Sequence, residues 1–258
     1  MKNQYDEKIK EDLYCKAREL GAELIRICSA DSWEIEPIQE PEFWPQNIWP
    51  WAKSVIALAI PLLYPMAATA PSMLYQEQYD TSNRIMDDMA YKLAKYLMVE
   101  KGQRVFFFPR DCYDNIKVLL KNPAAAFSHV MAGYYSGMGT IGDSHNLITK
   151  EFGPRIRIVS VITDAAIEPD DKIDNNLCIH CKKCMKMCPA NCFSENNGKI
   201  YDMDKDKCTK YHIELIEQHH WPCGYCATFC PVGEDLKRYN GTEAVTAKGL
   251  AHCQKFGS

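Results

Sequence analysis

Cys178-Ile-His-Cys181-Lys-Lys-Cys184-Met-Lys-Met-Cys188-Pro189 is the stretch that decides how the chain is read. Its spacing is Cys-x2-Cys-x2-Cys-x3-Cys-Pro. Three thiolates two residues apart wrap a tight loop around three corners of an iron–sulfur cube, and the fourth, followed by Pro, points away toward a neighbouring cluster. A second set lies downstream: Cys208 alone, then Cys223-Gly-Tyr-Cys226-Ala-Thr-Phe-Cys230-Pro231. It repeats the ending Cys-x2-Cys-x3-Cys-Pro with its first cysteine displaced upstream. Exchanging the Cys-Pro cysteines between the sets gives cluster one Cys178, Cys181, Cys184 and Cys230, and cluster two Cys208, Cys223, Cys226 and Cys188. Structural zinc uses two Cys-x2–4-Cys arms in a tetrahedron, which the triple fits poorly, and disulfides do not explain two Cys-Pro endings. The expectation is two [4Fe–4S] clusters.

Around this stretch the chain has 258 residues, 47% hydrophobic, enough for one large domain or two modest ones. A net charge of −4 gives no electrostatic footprint for nucleic acid. Eight of the 13 cysteines are taken by the two sets, and clusters need reduced thiolates, so a cytoplasmic setting is expected. The charged start Met1 to Lys8 has no apolar signal region. The apolar run Val55 to Leu63 is too short to span a bilayer, so no membrane partner is expected.

Upstream, apolar spacing predicts a helix over 5–20 stopped by Gly21, then a strand over 22–27. Cys15 and Cys28, each alone in an apolar segment, are expected in the core. Trp33, Trp44, Trp49 and Trp51 sit in a Pro-rich loop over 33–51; they either line a pocket for a flat ligand or pin the loop over the core, the second being favoured. A buried strand is expected over 54–63 and irregular chain over 64–80. A helix over 82–101 follows, with Ser82 as its cap and Ile85, Met89, Leu93, Tyr96 and Leu97 on its buried face. Strands are expected over 103–108 and 155–163, with a helix opened by Pro123 and running to 135 between them. Residues 165–176 read as a linker, 199–204 as a strand or turn, and 207–220 as a helix. Cys112, Cys192 and Cys253 fit neither cysteine set.

Gly137-Met-Gly139-Thr-Ile-Gly142 spells G-x-G-x-x-G. A dinucleotide site needs a strand before it and a long helix after it. Here a helical pattern precedes and Gly153-Pro154 cuts off any helix that follows. The glycines instead allow backbone to approach a ligand or another chain segment. Asp143-Ser-His145 begins like a cobalt-ligating Asp-x-His-x-x-Gly signature, but Ile148 stands where Gly should be; a polar turn is the better account.

Ser136 to Thr149, followed by Glu151-Phe-Gly-Pro-Arg-Ile-Arg-Ile-Val-Ser-Val-Ile-Thr-Asp164 and then the cysteine sets, resembles the core of epoxyqueuosine reductases and reductive dehalogenases. The resemblance covers about residues 10–235 and is specific over 136–231. It implies an α+β fold: a nitroreductase-like, corrinoid-binding core over 1–172, a ferredoxin-like two-cluster module over 173–235, and a tail over 236–258 packing on the core. By position, Gly137, Gly139, Gly142, Asn146, Leu147, Ile148 and Thr149 would contact cobalamin or another corrinoid. Reduced ferredoxin or flavodoxin would be the electron donor, with single electrons passing through the clusters to cobalt to reduce a small molecule. Three departures stand out. No Asp precedes Pro123 where epoxyqueuosine reductases carry their catalytic acid, and neither Tyr134 nor Tyr135 can be placed on the dehalogenase proton donor. No helical-repeat region follows the second set, which with the negative charge argues against tRNA as substrate. The alternatives are an iron–sulfur electron carrier without its own substrate, a corrinoid-reducing protein, and, more weakly, a flavin enzyme on a nitroreductase-like core.

Overall fold

A computed structural model describes residues 7–109, 115–196 and 199–239. Its centre is a four-stranded antiparallel sheet in the order β1 (Leu24–Ser29), β2 (Ser54–Pro61), β6 (Ile156–Thr163), β3 (Val105–Phe108). Register sets Val55 opposite Ile162 and Cys28 opposite Val55. Because side chains alternate across a strand, Ile56 and Leu58 face one side while Val55, Ala57 and Ala59 face the other. All five are fully buried, so β2 is covered on both faces.

On the first face lie α1 (Glu7–Glu19) and the long α5 (Met73–Val99). Leu13 and Ala17, four apart on α1, and Met86, Met89, Ala90, Leu93 and Leu97 of α5 pack with Ile25, Ile27, Val159 and Val161. Cys15, two positions from Leu13 and from Ala17, points outward and is exposed, contrary to its expected place in the core; Cys28 is buried. On the second face lie α6 (His129–Tyr135) and the tryptophan loop, which contains the short turns α2 (Ser32–Ile35) and α3 (Pro45–Ile48). Trp33 is fully buried against Tyr135 and Phe127, so it pins the loop rather than lining a pocket.

Three boundaries differ from expectation. α5 begins at Met73, where Ser72 Oγ accepts from Tyr75 N at 3.1 Å. Ser82 is an interior residue whose hydroxyl donates to the Gln78 carbonyl four back, the other habit of serine in helices. The buried stripe therefore runs through Met86, and Ile85 is 45% exposed. Helix α6 starts at His129 with Ser128 as its cap, six residues after Pro123. The turn α4 (Tyr64–Ala67) stands in the stretch expected to be irregular.

Ala165 to Asn176 is tied to the core. Asp170 accepts from Ile27 N at 2.7 Å and from the Tyr14 hydroxyl, and pairs with Lys10 at 2.9 Å. The cysteine region adds α7 (Lys183–Lys186), the hairpin β7 (Phe193–Asn196) and β8 (Lys199–Met203), α8 (Lys205–Glu217) and α9 (Tyr225–Thr228). A further two-stranded ribbon, β4 (Thr140–Ile141) with β5 (Leu147–Ile148), holds the glycine-rich turn. Of the expected tail, 236–239 are described, and Tyr239 packs on Tyr64 with ring centroids 5.2 Å apart. Cys112 and Cys253 lie outside the described residues.

Candidate functional site

The cysteine region is bolted to the core by Arg155, which is fully buried. Its Nε and Nη2 donate to both carboxylate oxygens of Asp235, at 2.9 and 2.7 Å. Its other donors reach the carbonyls of Cys230 and Val232, at 2.9 and 2.7 Å. The planar guanidinium suits this fork-on-carboxylate geometry. Glu234 N and Asp235 N donate to Lys150 and Glu151 carbonyls, and Thr228 Oγ1 donates to the Ala67 carbonyl at 3.0 Å.

Two cavities lie in this region. The outer one is lined by Cys178, Cys181, Cys184 and Cys230, the first expected set, together with Asp143 and Cys226. The inner one, of about 230 Å³, is lined by Cys188, Cys208, Cys223 and Cys226, the second expected set. Tyr75, Tyr79, Ile156 and Arg157 of the core form its other wall. Each set of four therefore surrounds one void, and because Cys226 lines both, the voids are neighbours. The outer one reaches solvent: Cys181 is exposed, and Ile179 beside it is 63% exposed.

Burial favours the protonated thiol at Cys178, Cys184, Cys188, Cys223, Cys226 and Cys230. Cys184 and Cys223 are pushed up to about 12 by desolvation. Cys226 is also raised by burial, against the opposing effect of Asn146, whose Nδ2 donates to its sulfur at 3.3 Å. Cluster assembly must expel these protons, since iron binds thiolate. Beside Cys178, the buried Asp143 carboxylate lies 3.0 Å from His180 Nδ1 through each oxygen, and the three residues converge. His145 turns away at φ 61°, with its N–H on the Gly142 carbonyl, as a polar turn requires.

The stretch expected to meet a corrinoid is mostly covered by the chain itself. A side chain at Gly137, which sits at φ 71°, would strike the Asp171 carbonyl; at Gly139 it would strike the Ile148 carbonyl, and at Gly142 the Ile148 side chain. Leu147 and Thr149 are buried, and Thr149 Oγ1 accepts from Phe152 N at 3.1 Å. Ile148 edges the outer cavity. Asn146 alone of the seven opens onto the inner cavity. At these positions the glycines serve close packing of the chain on itself.

Two features were not legible in sequence. Arg155 as the clasp depends on Asp235, 80 residues away. Cys192 lines the inner cavity as a fifth thiol, 3% exposed, with its sulfur 3.4 Å from that of Cys188. Its nearness to Cys188 in sequence was the one available signal. Among the described residues, no helix is long and apolar enough to cross a membrane.

Comparison with known proteins agrees with this geometry. A 4Fe-4S binding domain model matches residues 171–194. The tetrachloroethene reductive dehalogenase of Dehalobacter restrictus is 29% identical over 181 residues, covering 69% of this chain and 30% of that protein. The epoxyqueuosine reductase of Bacillus cereus is 24% identical over 267 residues, covering 92% and 68%. The chain thus spans about a third of the length of the dehalogenases it matches. Among solved structures, a catabolic reductive dehalogenase superposes with a TM-score of 0.68 at 21% identity, over 99% of this chain and 35% of that one. The epoxyqueuosine reductase of Streptococcus thermophilus gives 0.58 at 17% identity, over 96% and 79%. The cysteine sets, the fold and these likenesses agree: the chain is similar to the reductive dehalogenases and the epoxyqueuosine reductases, and carries a 4Fe-4S binding domain.

Proposed function

We propose that this protein is a two-cluster iron–sulfur reductase that relays single electrons inward and delivers them to a corrinoid, which it meets as an acceptor. The observation that carries this is the pair of adjoining thiol-lined cavities, one at the surface and one against the core, with Cys226 common to both. Cys178, Cys181, Cys184 and Cys230 would hold the outer [4Fe–4S] cluster; Cys188, Cys208, Cys223 and Cys226 would hold the inner one. The clusters supply one-electron chemistry, and the chain supplies their spacing, burial and hydrogen bonds.

Electrons enter at the outer cluster. Exposed Lys183 and Lys186 stand beside exposed Ile179 and Met187, a face suited to an acidic carrier such as reduced ferredoxin or flavodoxin. At the inner cluster, Asn146 donates toward Cys226, and the Arg157 cation lines the wall, its Nε on Asn83 Oδ1 at 2.9 Å. Both favour the extra negative charge of the reduced state. The relatives named dehalogenase and epoxyqueuosine reductase support a corrinoid and a small-molecule substrate beyond it. The covered glycine turn supports a corrinoid that comes and goes.

An anaerobic titration of cluster-loaded protein with cobalamin, followed by absorbance and gel filtration, tests this. Catalytic reduction of cobalamin by dithionite-fed protein, without co-elution, is expected. Stoichiometric co-elution would make the corrinoid a resident cofactor. Neither binding nor reduction, with about eight irons per chain, would leave an electron carrier with another acceptor, a cytoplasmic one if the cysteine chemistry sets the compartment.

A further inference from the structure

The inner cavity holds one thiol more than a [4Fe–4S] cluster has irons. Cys188, Cys192, Cys208, Cys223 and Cys226 all line it. Cys192 is the least exposed of the five, and its sulfur lies 3.4 Å from that of Cys188. Two sulfurs that close cannot serve different corners of a cube; they compete for one. The turn between them is tight: Asn191 N donates to the Cys188 carbonyl at 3.2 Å, and Asn191 takes the left-handed conformation at φ 46° that Asn tolerates. On the far side, Asp204 N donates to the Cys192 carbonyl at 2.8 Å, fixing the residue at the start of α8, four positions from Cys208.

We propose that Cys192 is an interchangeable ligand for the corner of the inner cluster assigned to Cys188. This rests on the two-cluster reading above. With the cluster bound, the exchange would break the iron–sulfur bond to Cys188 and form one to Cys192, and the Cys192 thiol proton would pass to the departing Cys188 thiolate, whose sulfur lies 3.4 Å away. No electron is gained or lost, so no oxidant is needed.

The test is anaerobic reconstitution of the full chain with iron and sulfide, read by iron content and by electron paramagnetic resonance of the reduced protein. The unaltered chain should hold about eight irons. Cys188→Ala and Cys192→Ala should each keep about eight, the double variant about four, and Cys223→Ala, whose corner has no spare, about four. The unaltered chain should show two overlapping inner-cluster signals, with Cys188→Ser and Cys192→Ser each retaining a different one. Loss of half the iron in Cys188→Ala with none in Cys192→Ala overturns the proposal. So does an inner-cluster signal identical in the unaltered chain and Cys192→Ser, a change small enough to fold. If the unaltered chain itself takes up only about four irons or none, the two-cluster reading fails instead.

Discussion

In the core, five consecutive residues of β2, Val55 to Ala59, are fully buried between helices on both faces of the sheet. After Leu177, the buried apolar side chains among the described residues are Cys192, Leu215 and Pro222. The first region carries its stability in apolar area removed from water. The second has too little of that, and nine thiols converge where its core would otherwise be. Small domains in this position obtain their folding energy from metal. One chain thus joins a region that packs itself to a region that iron must pack.

The largest effect expected of this difference is on iron removal. Chelation should make the chain after about residue 177 susceptible to limited proteolysis while far-ultraviolet circular dichroism of the core persists. Loss of both together would erase the distinction. Next comes the bolt between them. Arg155→Met leaves the largely buried Asp235 carboxylate and two carbonyls without their cation, a cost of about 3–5 kcal/mol. A urea melt should then split into two transitions, with the iron absorbance lost in the earlier one.

Acid should act on both regions through buried histidines. Burial holds His129 of the core at about 4, with Nδ1 2.9 Å from Ser160 Oγ, and His212 of α8 at about 4, where it accepts from Trp221 Nε1. Each folded pKa lies below the ordinary value near 6.5, so the unfolded chain gains the proton first. Stability is therefore complete above about pH 7 and falls as pH drops from about 6.5 to 4, by about 3 kcal/mol per histidine at the lower end. His129→Asn should flatten the acid limb of the core's melting temperature and leave that of the iron absorbance in place. The smallest effect is electronic. Asn146→Leu removes the donor to Cys226, and the inner cluster's midpoint potential should fall by about 20–60 mV in a redox titration, with the outer cluster unmoved.

What the sequence made legible follows the same division. β2 and β6 read plainly because apolar runs bounded by turns have one compact use, and the cluster cysteines read plainly because cube geometry dictates spacing. Ser82 misled because serine has two habits in helices, and choosing between them needed the partner atoms, Gln78 O against Tyr75 N. Cys15 misled because a cysteine's burial depends on the helix face, and Leu13 and Ala17 set that face. The glycine turn showed that something approaches closely but not what; the answer, Asp171 and Ile148, lies in the chain's own return path. Arg155 was hidden because its role is made by closure onto Asp235, 80 residues on, and Cys192, four residues from Cys188, because it fits neither cysteine spacing.

The exposure of Cys181 at the outer cavity has a consequence for handling the protein. On the two-cluster reading, dioxygen would meet the first set at exposed Cys181, whereas the second set lies against Tyr75 and Tyr79 of α5. Damage in air should proceed from the outside in, through a half-loaded species of about four irons that remains brown and folded. On the proposed electron path, that species would hold the site facing the acceptor and lack the entrance facing the donor. A preparation judged by colour alone would pass inspection and conduct nothing.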